Sequence, residues 1–260
     1  MKVLITGASS GMGREMARIL ADTYDELILV GRDKKRLNEL KEELSGKSKI
    51  DIEAMDLSDV LNCKKLYQKY KDVDLLINNA GFGDYGEFVS SDLDKDLLMI
   101  QTNVMALHAL TKLYLGDMVK RDSGHILNVA SIAGFMPGPL MATYYATKGY
   151  VVRLSEAIRE ELCKSHSKVK ISILCPGPVK TNFEKVANVS FYFPGVDAKK
   201  VAKYALDHLN RFYIVPGFGT KVSRIFLQMV PGSLSAKIMY KLQSQRKSVK
   251  EWMLWKRNKN

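Results

Sequence analysis

Short apolar runs alternate with longer amphipathic stretches along most of the chain. Residues 2–6 (KVLIT), 26–30 (ELILV), 50–55, 73–77, 125–130, 169–174 and 212–215 are such runs, four to six residues each. Their length and their Val, Ile and Leu content predict strands buried on both faces of a sheet. Between them, helical periodicity predicts helices from Met12, over 34–44, from Ser58, over 92–119, over 143–163 and over 198–209. Seven strands alternating with helices predict an α/β fold: a doubly wound, seven-stranded parallel sheet with helices on both faces. Its ligands would lie at the C-terminal ends of the strands. We expect this unit to occupy residues 1–216, with a helical C-terminal extension over 217–260 of the same domain.

The first strand runs into TGASSGMG, Thr6–Gly13. Gly7 permits a tight turn, Gly11 lets backbone approach a pyrophosphate, and Gly13 lets the following helix pack on the sheet. A phosphate would sit at that helix N-terminus, where free N–H groups and the dipole favour an anion. Gly7, Ser9, Ser10, Gly11, Met12 and Gly13 are therefore candidate cofactor contacts. The second strand ends at Gly31-Arg32, where an NAD-binding chain would carry an acid for the adenosine ribose. An arginine suits a 2′-phosphate instead, which predicts NADP (NADPH). Asp33 reads as the N-cap of the next helix, and Arg14 and Lys34 are candidate helpers of Arg32.

The third strand delivers Asp56-Leu57, and the fourth delivers NNAG, Asn78–Gly81. Asn103 is a polar residue in an apolar helical pattern, which predicts either a backbone-satisfied or a functional side chain. The fifth strand delivers Ser131. Tyr144 and Lys148 stand four apart on the helix that follows, hence on one face. An ammonium beside a phenol lowers its pKa, so Tyr144 could exchange a proton with a carbonyl or alcohol oxygen, with Ser131 adding a second hydrogen bond. The loop from Cys175 to Gly195 reads as an apolar lid carrying Phe183, Phe191, Tyr192 and Phe193.

Composition changes this picture little until the tail. Apolar residues at 46% and charged residues at 26% are those of a globular protein. Cys63, Cys163 and Cys175 have no metal-ligand spacing and are odd in number, which predicts a reducing compartment and no metal. MKVLITG reads as a strand from its second residue, so no signal peptide is expected, and no apolar run has the length of a spanning helix. These points predict a cytoplasmic protein. The net charge of +12 is concentrated late: from Gly217 to Asn260 ten basic residues face the single acid Glu251. After Pro231, Leu234, Ile238, Leu242, Val249 and Trp252 or Met253 form one apolar stripe with lysines and arginines around it. The stripe predicts packing on its own domain or a homo-oligomer contact (dimer or tetramer), with weak peripheral membrane attachment as the alternative. No nucleic-acid partner is expected.

Taken together, TGASSGMG, Asp56, NNAG, Asn103, Ser131, Tyr144-x-x-x-Lys148 and PGPVKT resemble the short-chain dehydrogenase/reductase family, in its order and spacing, over residues 2 to about 215. TGxxxGxG matches the single-domain branch rather than the extended, epimerase-like one, and the C-terminal third is similar to bacterial 3-oxoacyl and 17β-hydroxysteroid reductases. The resemblance implies a Rossmann-type fold and a catalytic set of Asn103, Ser131, Tyr144 and Lys148. In that set Tyr144 is the general acid, and Lys148 tunes it and holds the nicotinamide ribose. Ser131 orients the carbonyl, and Asn103 positions a water. It also implies cofactor contacts from Asp56 and Leu57 at the adenine, from the Asn78–Gly81 turn with Asn79, Ala80 and Gly81, and from Pro176, Gly177, Val179 and Thr181. The reading that follows is an NADPH-dependent reductase of a lipophilic ketone, with Phe82, Phe135, Met136, Met141 and Val179 as candidate apolar walls. The alternative is an NADP-binding sensor or scaffold without turnover.

Overall fold

The computed structural model describes residues 1–189 and 195–245. Lys2–Thr6 (β1), Glu26–Gly31 (β2), Lys49–Ala54 (β3), Leu75–Asn78 (β4), His125–Val129 (β5), Lys170–Leu174 (β6) and Tyr213–Ile214 form one parallel sheet. Its spatial order places β3, β2, β1, β4, β5 and β6 side by side, with Tyr213–Ile214 at the far edge. The order reverses at β1, between β2 and β4, and this is where doubly wound sheets open a crevice. The expected strands all form, within one or two residues at their ends.

Alternation along the strands sorts two cores. Val3, Ile5, Leu27, Leu29 and Leu75 face Gly11–Leu20 (α1), Lys34–Glu43 (α2) and a later helix, Ala198–Asp207. Leu4, Ile28, Leu76 and Ile126 face Val60–Lys69 (α3), Leu107–Lys120 and Ala142–Lys164. Each face is buried because consecutive side chains point to opposite sides of a strand.

The helix expected over 92–119 is not one helix. Leu93–Ile100 (α4) passes into a π-helical segment, Gln101–Ala106, and then into Leu107–Lys120 (α5). After β5 and a 3₁₀ turn, Ile132–Phe135, comes the long Ala142–Lys164 (α6). Val179–Lys180 (β7), Phe183–Val186 (α7) and Val196–Asp197 (β8) lie beyond β6, with β7 and β8 paired as a separate two-stranded ribbon. Ala198–Asp207 (α8) and Tyr213–Ile214 (β9) complete the doubly wound unit. Two helices follow, Phe218–Met229 (α9) and Gly232–Ser244 (α10), with Pro231 at the break.

The stripe does not pack on its own domain. Leu234, Ile238 and Leu242 are 50%, 45% and 50% exposed, while Ser235 and Gln243 are buried. Val249, Trp252 and Met253 lie outside the described residues, as do Phe191, Tyr192 and Phe193 of the lid. Arg224 of α9 ties the extension to the domain, its guanidinium 4.3 Å from the Tyr213 ring and 5.7 Å from that of Phe135. Phe135 is thereby a packing residue, in one cluster with Val151, Val152 and Ile173, and Val179 belongs to the core beneath α8. Among the described residues no helix is long and apolar enough to cross a membrane.

Candidate active site

A groove of about 400 Å³ opens over the ends of β1, β2 and β4. Gly7, Ser9, Ser10, Gly11 and Met12 line one side, Gly31, Arg32, Asp33 and Arg36 a second. Asp56, Leu57, Asn79, Ala80, Gly81 and Thr181 line the rest, with Phe183 at the edge. The groove is shaped by what its glycines leave out. Gly7 and Gly11 have φ of +67° and +56°, which L side chains adopt rarely. A Cβ on Gly7 would stand 2.8 Å from Asn79 Nδ2, and one on Gly11 would stand 3.1 Å from Thr181 Cγ2. A Cβ on Gly13 would meet the Gly7 carbonyl oxygen at 2.5 Å, so this glycine seats α1 on the loop and does not line the groove. The first turn of α1 holds no acid, and Ser10 makes no side-chain cap to it. Its N–H groups are left to an anion. These features fit a dinucleotide.

At the end of β2, Arg32 and Arg36 flank the groove. Asp33 is the N-cap of α2, accepting from the Arg36 N–H at 3.0 Å, and its carboxylate also pairs with the Arg36 side chain at 3.3 Å. Arg14 is not a helper of Arg32: it pairs with Glu43 at 3.3 Å and Glu39 at 4.0 Å. Arg36 was not singled out from the sequence, because only the start of α2 at Lys34 brings its first turn to the groove.

Asn78 is not beneath the groove. Its amide donates to Asn128 Oδ1 at 2.9 Å and Thr111 Oγ1 at 3.0 Å, and Asn128 donates to Ser155 of α6 at 2.9 Å. This buried network fixes β4, β5 and α6 against one another. Asn79 is the groove residue, holding the carbonyls of Thr6 and Gly7 at 2.9 and 3.3 Å. Asp56 lines the groove while its Oδ1 accepts from the Ser58 N–H at 2.9 Å.

Asn103 sits in the π-helical segment. Its Oδ1 accepts from the Phe82 N–H at 3.0 Å, and its Nδ2 donates to the Phe82 carbonyl at 2.8 Å and to Thr147 Oγ1 at 3.1 Å. Thr147 in turn donates to the Tyr144 carbonyl at 2.7 Å. Asn103 thus grips the first turn of α6 and the loop after β4, and π-segments recur at such sites.

Ser131, Tyr144 and Lys148 are brought together as the spacing predicts. Ser131 caps the 3₁₀ turn by accepting from the Ala133 N–H at 3.2 Å, and its hydroxyl reaches the Pro176 carbonyl at 3.4 Å. It also stands near enough to the Tyr144 hydroxyl to favour its ionised form. Lys148 Nζ donates to the Val129 carbonyl at 2.9 Å and lies 5.9 Å from the centre of the Tyr144 ring. A Cβ built on Gly81 would come within 3.6 Å of that Nζ, so the set abuts the groove. Burial pushes the Tyr144 hydroxyl above the ordinary tyrosine range, with the neighbouring Ser131 acting in the opposite sense. Burial pulls the Lys148 amine down to about 8. Desolvation, not a Lys148 charge, is the dominant influence on Tyr144 here.

Phe183 links the two halves: it lines the groove and its ring lies 5.2 Å from that of Tyr144. Met136, Met141, Tyr85 and Met239 of α10 join the same cluster. Met239 and Tyr85 were not foreseen, because only the fold brings the extension here. Tyr145 is buried in this cluster, against Gly138, and a Cβ on that glycine would clash with its ring. Pro176 and Gly177 lie beside Ser131 and Thr220 rather than in the groove.

The family model described as short chain dehydrogenase matches residues 1–189. Dehydrogenase/reductase SDR family member 7B of Mus musculus is 33% identical over 189 residues, which cover 69% of this chain and 58% of that protein. The chain therefore spans less than two thirds of that relative's length. A short-chain dehydrogenase from Sphingobium yanoikuyae in complex with NADPH superposes with a TM-score of 0.78 at 26% identity, over 88% of this chain and 96% of that one. A short chain dehydrogenase/reductase from Burkholderia phymatum in complex with NAD does so with a TM-score of 0.79 at 25% identity, over 88% and 95%. With the match running unbroken from β1 through α7, across every element that shapes the groove, the chain belongs to the short-chain dehydrogenase/reductase family of NAD(P)-dependent oxidoreductases.

Proposed function

We propose that this enzyme reduces a ketone of a lipophilic substrate to the secondary alcohol, with NADPH as reductant and Tyr144 as general acid. The dinucleotide, when bound, supplies the hydride. Tyr144 gives its proton to the carbonyl oxygen as the alcohol forms, and Ser131 offers that oxygen a second hydrogen bond. Lys148, in its charged form, steadies the phenolate that this leaves. Asn103 holds the first turn of α6 and so keeps Tyr144 aimed.

The observation that carries this reading is the convergence of Ser131, Tyr144 and Lys148 at the place where Gly81 meets the groove. The choice of NADPH rests on Arg32 and Arg36 at the groove's edge, with Gly31 where an acid would serve NAD and with Asp33 committed to its cap. The lipophilic substrate rests on Met136, Met141, Met239 and Phe183 around Tyr144. A homo-oligomer belongs to the same proposal. Phe88, Val89, Leu93 and Leu97 at and before α4 are exposed apolar residues that a second copy would cover, and light scattering reads the mass.

Oxidation of NADPH and of NADH against a panel of ketones and 3-oxoacyl thioesters tests the reaction. Arg32→Ala tests the cofactor. A charge-assisted phosphate contact is worth about 1.5–3 kcal/mol, so NADPH should bind tenfold or more weakly and NADH almost unchanged. Equal affinity of the unmodified enzyme for both nucleotides contradicts the NADPH assignment.

A further inference from the structure

Helix α10 is built inside out. Ser235, Met239 and Gln243 stand four apart on its inward face, and two of the three are polar. Ser235 is 3% exposed and Gln243 is 0% exposed, and both ends of the Gln243 side-chain amide lack a hydrogen-bond partner among the described residues. Leu234, Ile238 and Leu242, also four apart, face out beside Lys237 and Lys241, and Tyr240 is 51% exposed. A helix on a protein surface in water carries its apolar face inward. Here the outward surroundings have to be the less polar ones.

Charge identifies what those surroundings are. Between Asp207 and Glu251 the chain has no acid, while Arg211, Lys221, Arg224, Lys237, Lys241, Arg246, Lys247 and Lys250 fall in the same interval. A second copy seated on this face by a two-fold axis would set this lysine-bearing face against itself, where like charges within a Debye length of about 10 Å repel. That arrangement is self-repelling. An anionic lipid surface accepts both features at once: apolar side chains enter the headgroup–acyl boundary, and the lysine stems extend along it with their ammonium groups at the phosphates.

We infer that α10 docks this enzyme on anionic lipid. Leu234, Ile238 and Leu242 enter the interface, and Lys237 and Lys241 meet the headgroups. The inward side of the same helix carries Met239 into the Tyr144 cluster, and the Gln243 carbonyl accepts from the Tyr85 hydroxyl at 2.9 Å. Docking therefore sets the space over Tyr144 against the lipid, and a lipid-soluble ketone reaches it without crossing water. This last clause rests on the ketone-reductase reading; the docking does not.

Sedimentation of the full chain with vesicles tests the docking without turnover. The chain should pellet with phosphatidylglycerol-containing vesicles, stay in solution with phosphatidylcholine alone, and be released by about 0.5 M salt, where screening is within a few ångströms. Each basic residue near such a surface multiplies partitioning by about fivefold, so Lys237→Gln with Lys241→Gln should lower it about 25-fold. Leu234→Ser, Ile238→Ser and Leu242→Ser combined should abolish binding and leave turnover of a water-soluble ketone unchanged. No pelleting of the unmodified chain, or pelleting indifferent to the serine substitutions, overturns the inference. So does a halved particle mass in that variant, which would make the face a self-association surface. Failure to reduce any ketone alongside salt-sensitive pelleting would sink the reductase reading and leave the docking standing.

Discussion

Lys148 is an ammonium carrier buried to 6% exposure with its pKa drawn down to about 8 from 10.5. The folded chain consequently holds fewer protons than the unfolded chain between about pH 8 and 10.5, and stability rises with pH across that window. Below pH 8 the whole cost is present, up to about 3 kcal/mol, and above pH 10.5 it is gone. Lys148→Met should therefore raise the thermal midpoint of the cofactor-free enzyme at pH 7 by about 5 °C, once the lost bond to the Val129 carbonyl is subtracted. The gain should vanish before pH 10.5 and reverse above it, where only the lost bond remains, while turnover is lost at every pH. A midpoint at pH 7 that fails to rise contradicts the account. Tyr144 makes the companion case. Tyr144→Phe removes the hydroxyl beside Ser131 and keeps the ring against Phe183, so kcat should fall about 10³-fold with nucleotide affinity intact. Tyr145→Phe is the control, since Tyr145 serves packing; a dead Tyr145→Phe with an active Tyr144→Phe reverses the assignment.

Among elements, α6 matters most, because it carries both Tyr144 and Lys148. The 3₁₀ turn meets it through Gly134, where a Cβ would stand 2.6 Å from the Lys148 carbonyl oxygen and 2.8 Å from Val152 Cγ2. Backbone cannot yield there as a side-chain tip can. Gly134→Ala should displace the helix, costing about 1–3 kcal/mol of stability and about tenfold in kcat through misplacement of the hydroxyl. Gly149→Ala, whose Cβ would find its nearest neighbour at 3.7 Å, should leave both melting point and kcat near those of the parent. Equal behaviour of the two variants would refute the tight crossing. The strands were legible because a strand buried on both faces is an apolar run whatever surrounds it. The π-segment was not. Nothing in QTNVMA breaks a helical period, and the register is set by Asn103 bonding to Phe82 and Thr147. The stripe on α10 was legible as a stripe, but periodicity alone does not say which side of a helix meets water.

At the scale of the molecule, the site divides by how local its parts are. The glycine loop, Ser131 and the Tyr144–Lys148 pair could be read because each lies within one turn or one helix. Arg36 and Met239 could not, since they reach the site only through α2 and α10. The same dispersal has a bearing on biosynthesis. The groove takes residues from Gly7 to Val186, and ribosomes add about 5–20 residues per second. Roughly 10 to 35 s separate the emergence of its first residue from that of its last. During that interval β1 to β6 must find their parallel partners on burial alone. The nucleotide cannot brace a growing chain, and its stabilising effect reaches only a molecule whose sheet is already nearly laid down.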